Sequence, residues 1–177
     1  TVRSSRFLAS ESADMRVPEL DGVWRYLQDR PVLGQVATLG QGLAFKGRSR
    51  AKNAWVVHKP AQPGDSLGFV QVPGGLEITQ CPPVAGLNLD RSVILHVRAG
   101  MPTRQPQVVL NYARVSRGPW RLKAVLDERG LALTSRFIAI RPHSPRISVL
   151  YLWALLNSPL ANAYVYCHTL KRDILVG

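Results

Sequence analysis

Two cysteines among 177 residues, Cys81 and Cys167, exclude a framework of small disulfide loops, and their separation is not a metal-ligand spacing. A single disulfide between them stays open; two buried free thiols in a reducing compartment, the cytoplasm, are the expected state. The four histidines, His58, His96, His143 and His168, stand far apart, and none pairs with Cys, Asp or Glu at a short metal spacing, so each reads as a surface or packing residue. Carboxylates are scarce: 11 Asp plus Glu leave little from which to build the acidic metal site of a nuclease. Of these, Asp127-Glu128 beside Arg129 reads as a solvated turn and Arg172-Asp173 as a helix-terminal salt bridge. Aromatics make up 7% of the chain, few for a protein that stacks single-stranded bases. No Gly-Lys-Ser/Thr follows a glycine turn, and Gly40-Gln41-Gly42 lacks the third glycine and downstream acid of a dinucleotide site. The first twelve residues lack the apolar stretch of a secretory signal. The longest apolar region, residues 147–166, is interrupted by Asn157, Ser158, Pro159 and Asn162, which favours a buried helix pair over a membrane span.

What the chain has in excess is positive charge: 23 Lys plus Arg against the 11 acids, a net +12. In a folded chain this points to a polyanionic partner, because clustered cations concentrate phosphates locally. Charge alone does not separate DNA, RNA and an anionic membrane. Hydrophobic residues at 46% are enough for a packed core. The chain starts at Thr1 without Met and stops abruptly at Gly177, as a piece of a longer polypeptide would.

Residues 1–16 are polar and unpatterned, a linker. Leu20, Val23, Trp24 and Leu27 recur at helical spacing within residues 19–29, and Pro31 ends the pattern. Residues 33–39 read as a strand. Residues 68–72, 76–79 and 131–140 read likewise, whereas residues 120–128 fit a helix or a strand. The branched runs 93–97 and 107–110, separated by a Gly/Pro loop, predict a hairpin or two neighbouring strands. Ser148 is placed to cap a helix over residues 149–156, and Ser158-Pro159 opens a second helix to about Cys167. The whole is an α+β pattern: a short N-terminal helix, a mixed or antiparallel sheet of short strands with long loops, and a C-terminal helical hairpin. The division expected is a linker with one helix over residues 1–30 and one domain over residues 31–177.

Two basic segments carry the functional signal. Lys46, Arg48, Arg50 and Lys52 occupy every second position, so an extended backbone would send all four to one face, suited to holding phosphates. Residues 111–123 place Asn111, Arg114, Ser116, Arg117, Arg121 and Lys123 around a Gly118-Pro119 turn, with Tyr112 and Trp120 expected in the core. Arginine can grip guanine edges or phosphates with two parallel hydrogen bonds, asparagine does the same for adenine, and serine binds phosphate oxygens. A basic loop on a rigid sheet is where recognition residues sit.

The segment Leu33-Gly34-Gln35-Val36-Ala37-Thr38-Leu39-Gly40-Gln41-Gly42-Leu43-Ala44-Phe45-Lys46-Gly47 resembles the opening "LG-x-(V/I)-A-x-x-x-x-G-x-x-(F/Y)-K" of target-recognition domains. These occur in type I restriction specificity subunits and in single-chain N6-adenine DNA methyltransferases. Tyr151-Leu152-Trp153-Ala154-Leu155-Leu156-Asn157-Ser158-Pro159-Leu160-Ala161 resembles the helix "Y-L-x-A-L-L-N-S-x-L" that closes those domains, and the intervening residues 111–120 and Thr134-Ser135-Arg136-Phe137 look like their interior. The resemblance spans residues 33–172, with no match over residues 54–90. It implies a domain that grips the DNA major groove, with Arg136 added to the DNA-facing set, beside a methyltransferase domain or subunit that uses S-adenosylmethionine to methylate a flipped adenine. The methylation motif Asn/Asp-Pro-Pro-Tyr/Phe is absent, since Cys81-Pro82-Pro83-Val84 lacks both flanking residues, so no catalysis or cofactor is expected of this chain alone. An RNA-binding module and a nuclease with an unrecognised site are the alternatives.

Overall fold

The computed structural model describes residues 20–46, 56–70, 76–113 and 120–168. The architecture is mixed α+β. A short helix α1 (Asp21–Leu27) and a single helical turn α2 (Leu33–Val36) precede strands β1 (Ala37–Gln41), β2 (Ala44–Phe45), β3 (Val57–His58), β4 (Ser66–Phe69), β5 (Val84–Leu87) and β6 (Ile94–His96). Strands β7 (Gln107–Asn111), β8 (Ala124–Asp127), β9 (Ala132–Leu133) and β10 (Phe137–Pro142) follow, then helices α3 (Val149–Leu156) and α4 (Pro159–His168).

The main sheet is antiparallel with order β1-β10-β7-β8, and a second sheet has order β3-β5-β4-β9. Alternate side chains of the main sheet serve two cores. Val108, Leu110, Ala124, Ile138 and Ile140 point toward the helices, where they meet Leu152 and Leu156. Val109, Val125, Phe137 and Ala139 point the other way, onto Phe69 and Leu133 of the second sheet. Covering on both faces explains why β7 and β10 read as unbroken apolar runs rather than alternating ones. The far side of the second sheet packs Leu87, Ala85 and Ala132 against Leu43 and Ile94 beside the two-stranded β2–β6 ribbon.

Several expectations are corrected. Residues 33–39 are not one strand: the Gln35 side chain accepts the Val32 N–H at 3.1 Å and closes a helical turn before β1 begins. Residues 131–140 split into β9 and β10, which belong to different sheets; the polar triplet Thr134, Ser135 and Arg136 marks the crossover, where the Phe137 N–H donates to the Thr134 carbonyl. The runs near 93–97 and 107–110 are not neighbours, because β6 pairs with β2 whereas β7 pairs with β10 and β8. The ambiguous segment 120–128 contains β8, whose Ala124 lies in the helix-facing core and Val125 in the other. In the segment 66–79 the strand is β4, Leu76 is buried, and residues 78–79 form a turn rather than a strand; residues 71–75 lie outside the described residues. Strand β5 was not anticipated, since Gly86 and the preceding prolines mask it.

The helical hairpin follows its expected bounds closely. Ser158 caps α4 through its Oγ, which accepts the Ala161 N–H, whereas Ser148 makes no side-chain capping bond. Cys81 is exposed, not buried, and the Cys167 side chain lies outside the described residues. Among the described residues, no helix is long and apolar enough to cross a membrane.

Candidate nucleic-acid interface

One end of the main sheet brings together the ends of β1 and β7 and the starts of β8 and β10. The basic segment 111–123 leaves the sheet here and returns here. Residues 114–119 lie outside the described residues, so Arg114, Ser116 and Arg117 are not placed; the same holds for Arg48, Arg50 and Lys52.

The base of that segment is held by asparagines. Asn111, 7% exposed, donates from Nδ2 to the Ala113 and Arg121 carbonyls and accepts the Lys123 N–H on Oδ1. Asn162 on α4, 2% exposed, accepts the Arg121 and Leu122 N–H groups on one oxygen, each at 2.7 Å, and donates to the Ser158 carbonyl. Asn157, between the helices, treats Ala124 as a strand partner would: Oδ1 accepts its N–H and Nδ2 donates to its carbonyl. The Trp153 indole donates to that carbonyl too. β8 is the outer strand of its sheet, and these side chains satisfy backbone groups that an uncovered edge would leave open. The asparagines of the closing helical segment therefore fasten the returning limb of the basic segment to the helical layer.

Two of the expected DNA contacts, Asn111 and Arg121, are buried. The amide of Asn111 is engaged with the backbone around it and shapes the base of the segment. Arg121 is 8% exposed, with its guanidinium 4.7 Å from the Tyr166 ring centroid. Lys123 is half-buried, and its Nζ lies 3.0 Å from the Glu77 carboxylate. Tyr112 packs against the helix-facing core as expected, whereas Trp120 is 39% exposed.

Lys46 and Arg136 are exposed. Backbone bonds tie Arg136 to that end of the main sheet, where its carbonyl accepts the Tyr112 N–H, and tie Leu43 to the crossover, its carbonyl accepting the Ser135 N–H; the Lys46 N–H donates to the Val93 carbonyl, beside the β2–β6 ribbon. The 111–123 segment thus springs from beside the Thr134–Arg136 crossover, to which Leu43, shortly before Lys46, is also bonded.

A second basic group gave no signal in the sequence. Arg141 is half-buried between the sheets and donates through Nε to Gln107 Oε1 at 2.9 Å and through Nη2 to the Ala99 and Met101 carbonyls. Gln107, fully buried, donates in turn to Asp127 Oδ2 and to the Leu131 carbonyl. Burial pushes the Arg141 guanidinium below its ordinary value, and the charge of Asp127 opposes that shift. Asp127 is itself 2% exposed and accepts the Arg129 and Leu131 N–H groups, which corrects its reading as a solvated turn. To find this network from residues alone would require pairing a strand-end Asp with a strand-end Gln, and hence knowing that β7 and β8 are partners.

Among the described residues, no group of three or more His, Cys, Asp or Glu side chains could hold a metal ion. His58 and Asp65 form a pair at 2.8 Å in which the Asp65 carboxylate also accepts the Gln62 N–H. The Gln62 hydrogen bond, followed by the hydrogen bond and charge of His58, holds the Asp65 carboxyl below its ordinary value against the opposing effect of burial. A depressed carboxyl stabilises the fold above its unfolded value of 3.8 and loses that contribution as pH falls through the lower folded value. Asp65→Asn is therefore expected to lose less thermal stability than the parent chain between pH 6 and pH 3, as measured by melting curves at the two pH values. Equal losses would contradict this.

No family model, no curated protein and no solved structure matches the chain.

Proposed function

We propose that this chain binds double-stranded DNA as the target-recognition part of an N6-adenine DNA methyltransferase or restriction-modification enzyme. Catalysis and S-adenosylmethionine then belong to a methyltransferase domain or subunit, the proposed protein partner. The observation that carries this reading is the clamp at residues 111–123, where Asn111 and Asn162 fix both limbs of a strongly basic segment to a rigid sheet and helix. Recognition needs loops held within narrow positional limits, and a scaffold that uses buried amides for this purpose fits that need. The net charge of +12 supplies the attraction to phosphates. The two stretches that resemble the family also meet in one core, since Leu33 and Leu39 pack with Leu152 and Leu156.

One observation favours a second reading. Trp120, at the returning limb, is 39% exposed, and single-stranded RNA binders stack bases on exposed aromatics. Competition separates the two. With a labelled duplex of random sequence bound, unlabelled duplex is expected to displace it at lower concentration than single-stranded RNA of equal length. The reverse order would replace the DNA reading with the RNA one.

A further inference from the structure

We propose that Arg98 and Arg104 form a second phosphate-binding edge that grips the duplex backbone; this rests on the duplex-binding reading above. Both residues are exposed, and both have positive φ, 44° at Arg98 and 57° at Arg104. The left-handed region crowds Cβ against the backbone and is visited mainly by Gly, Asn and Asp. Arginine has no local hydrogen bond to offer in exchange. Two arginines in that state within one short segment indicate side chains kept for something other than their backbone preference.

The backbone that carries them is pinned along its length. The Ala99 N–H donates to the Gln41 carbonyl, the Leu133 N–H to the Gly100 carbonyl, and the Thr103 and Arg104 N–H groups to the Gly130 carbonyl. From below, the Arg141 guanidinium holds the Ala99 and Met101 carbonyls. The seat is tight as well. A Cβ on Gly100 would fall on the Leu43 backbone nitrogen, and one on Gly130, itself at φ 60°, would fall on the backbone of Gln105 and Arg104. Arg129, exposed beside Gly130, adds a third cation near Arg104. Of the two acids in that turn, Asp127 is buried with its oxygens already engaged, and Glu128 alone is exposed. A fixed backbone bearing exposed guanidiniums is prepaid for a rigid polyanion, because little ordering remains to be done on binding. Arginine also grips a phosphate with two parallel hydrogen bonds.

The double substitution Arg98→Gly/Arg104→Gly tests this in the full chain, since glycine takes positive φ without strain and removes only the side chains. Duplex affinity is measured from 50 to 200 mM salt, together with the melting temperature. The expected result is a log–log salt slope reduced by about 2, one unit for each phosphate no longer neutralised, with a melting temperature at or above that of the parent chain. The companion Arg98→Lys/Arg104→Lys keeps the charges and should keep a slope near the parent value. An unchanged slope in the glycine variant overturns the proposal, as does an equal fall in the lysine variant. A parent chain that binds no duplex at any salt overturns the DNA reading itself, an outcome distinct from both.

Discussion

Asn162→Leu is expected to lower the unfolding free energy by about 2–4 kcal/mol, since it strips the acceptor from two buried N–H groups at once. For a chain of this size that corresponds to a melting temperature lower by roughly 5–15 °C. The Arg121 and Leu122 N–H groups have Asn162 Oδ1 as their acceptor, and leucine restores neither bond. Leu150→Ala, on the exposed side of the neighbouring helix, serves as the comparison and should change stability by no more than about 0.5 kcal/mol. The prediction also has a functional half. Freed from α4, the returning limb of the basic segment loses its fixed position, so duplex affinity should fall even at temperatures where the variant is fully folded. Full affinity in a folded Asn162→Leu chain would show that the clamp serves stability only.

Asp127→Ala should be at least as costly, about 3–5 kcal/mol, as measured by chemical denaturation near neutral pH. The substitution leaves Gln107 Nε2 with one partner fewer, removes the acceptor of the Arg129 and Leu131 N–H groups, and takes away the charge that offsets the half-buried Arg141. Asp127→Asn keeps one carbonyl oxygen and should lose markedly less. If the alanine variant stayed within about 0.5 kcal/mol of the parent, the Arg141–Gln107–Asp127 chain would not be a stabilising network.

The sequence made some of this visible and hid the rest for physical reasons. The helical hairpin was legible because Ser158-Pro159 is a local start signal and its effect is felt within one turn. Strands β7 and β10 were legible as apolar runs, but their partners were not, because pairing is decided by which layers close around a strand rather than by the strand itself. The same limit applies to the burial of two candidate site residues. Asn111 and Arg121 carry the chemistry of base and phosphate recognition, yet burial directs it inward, and burial is a property of the assembled core. Asp127 looked solvated because the two residues after it, Glu128 and Arg129, are charged; its partner Gln107 is twenty positions away in sequence. Asn162 stood out only as an interruption of an apolar region, and Asn157 as that and as a letter of the closing-helix resemblance. Their amides turn out to be the fastening between the helices and the edge of the sheet. The positive φ values of Arg98 and Arg104 leave no trace in a string of letters, since neither residue type favours that conformation.

The salt dependence of duplex binding tests the account most directly. With roughly six phosphates neutralised, affinity should fall about a thousandfold between 50 and 200 mM salt, as counterions compete for the same sites. An affinity that stays level across that range would mean that the +12 charge of this chain serves some purpose other than holding a double helix.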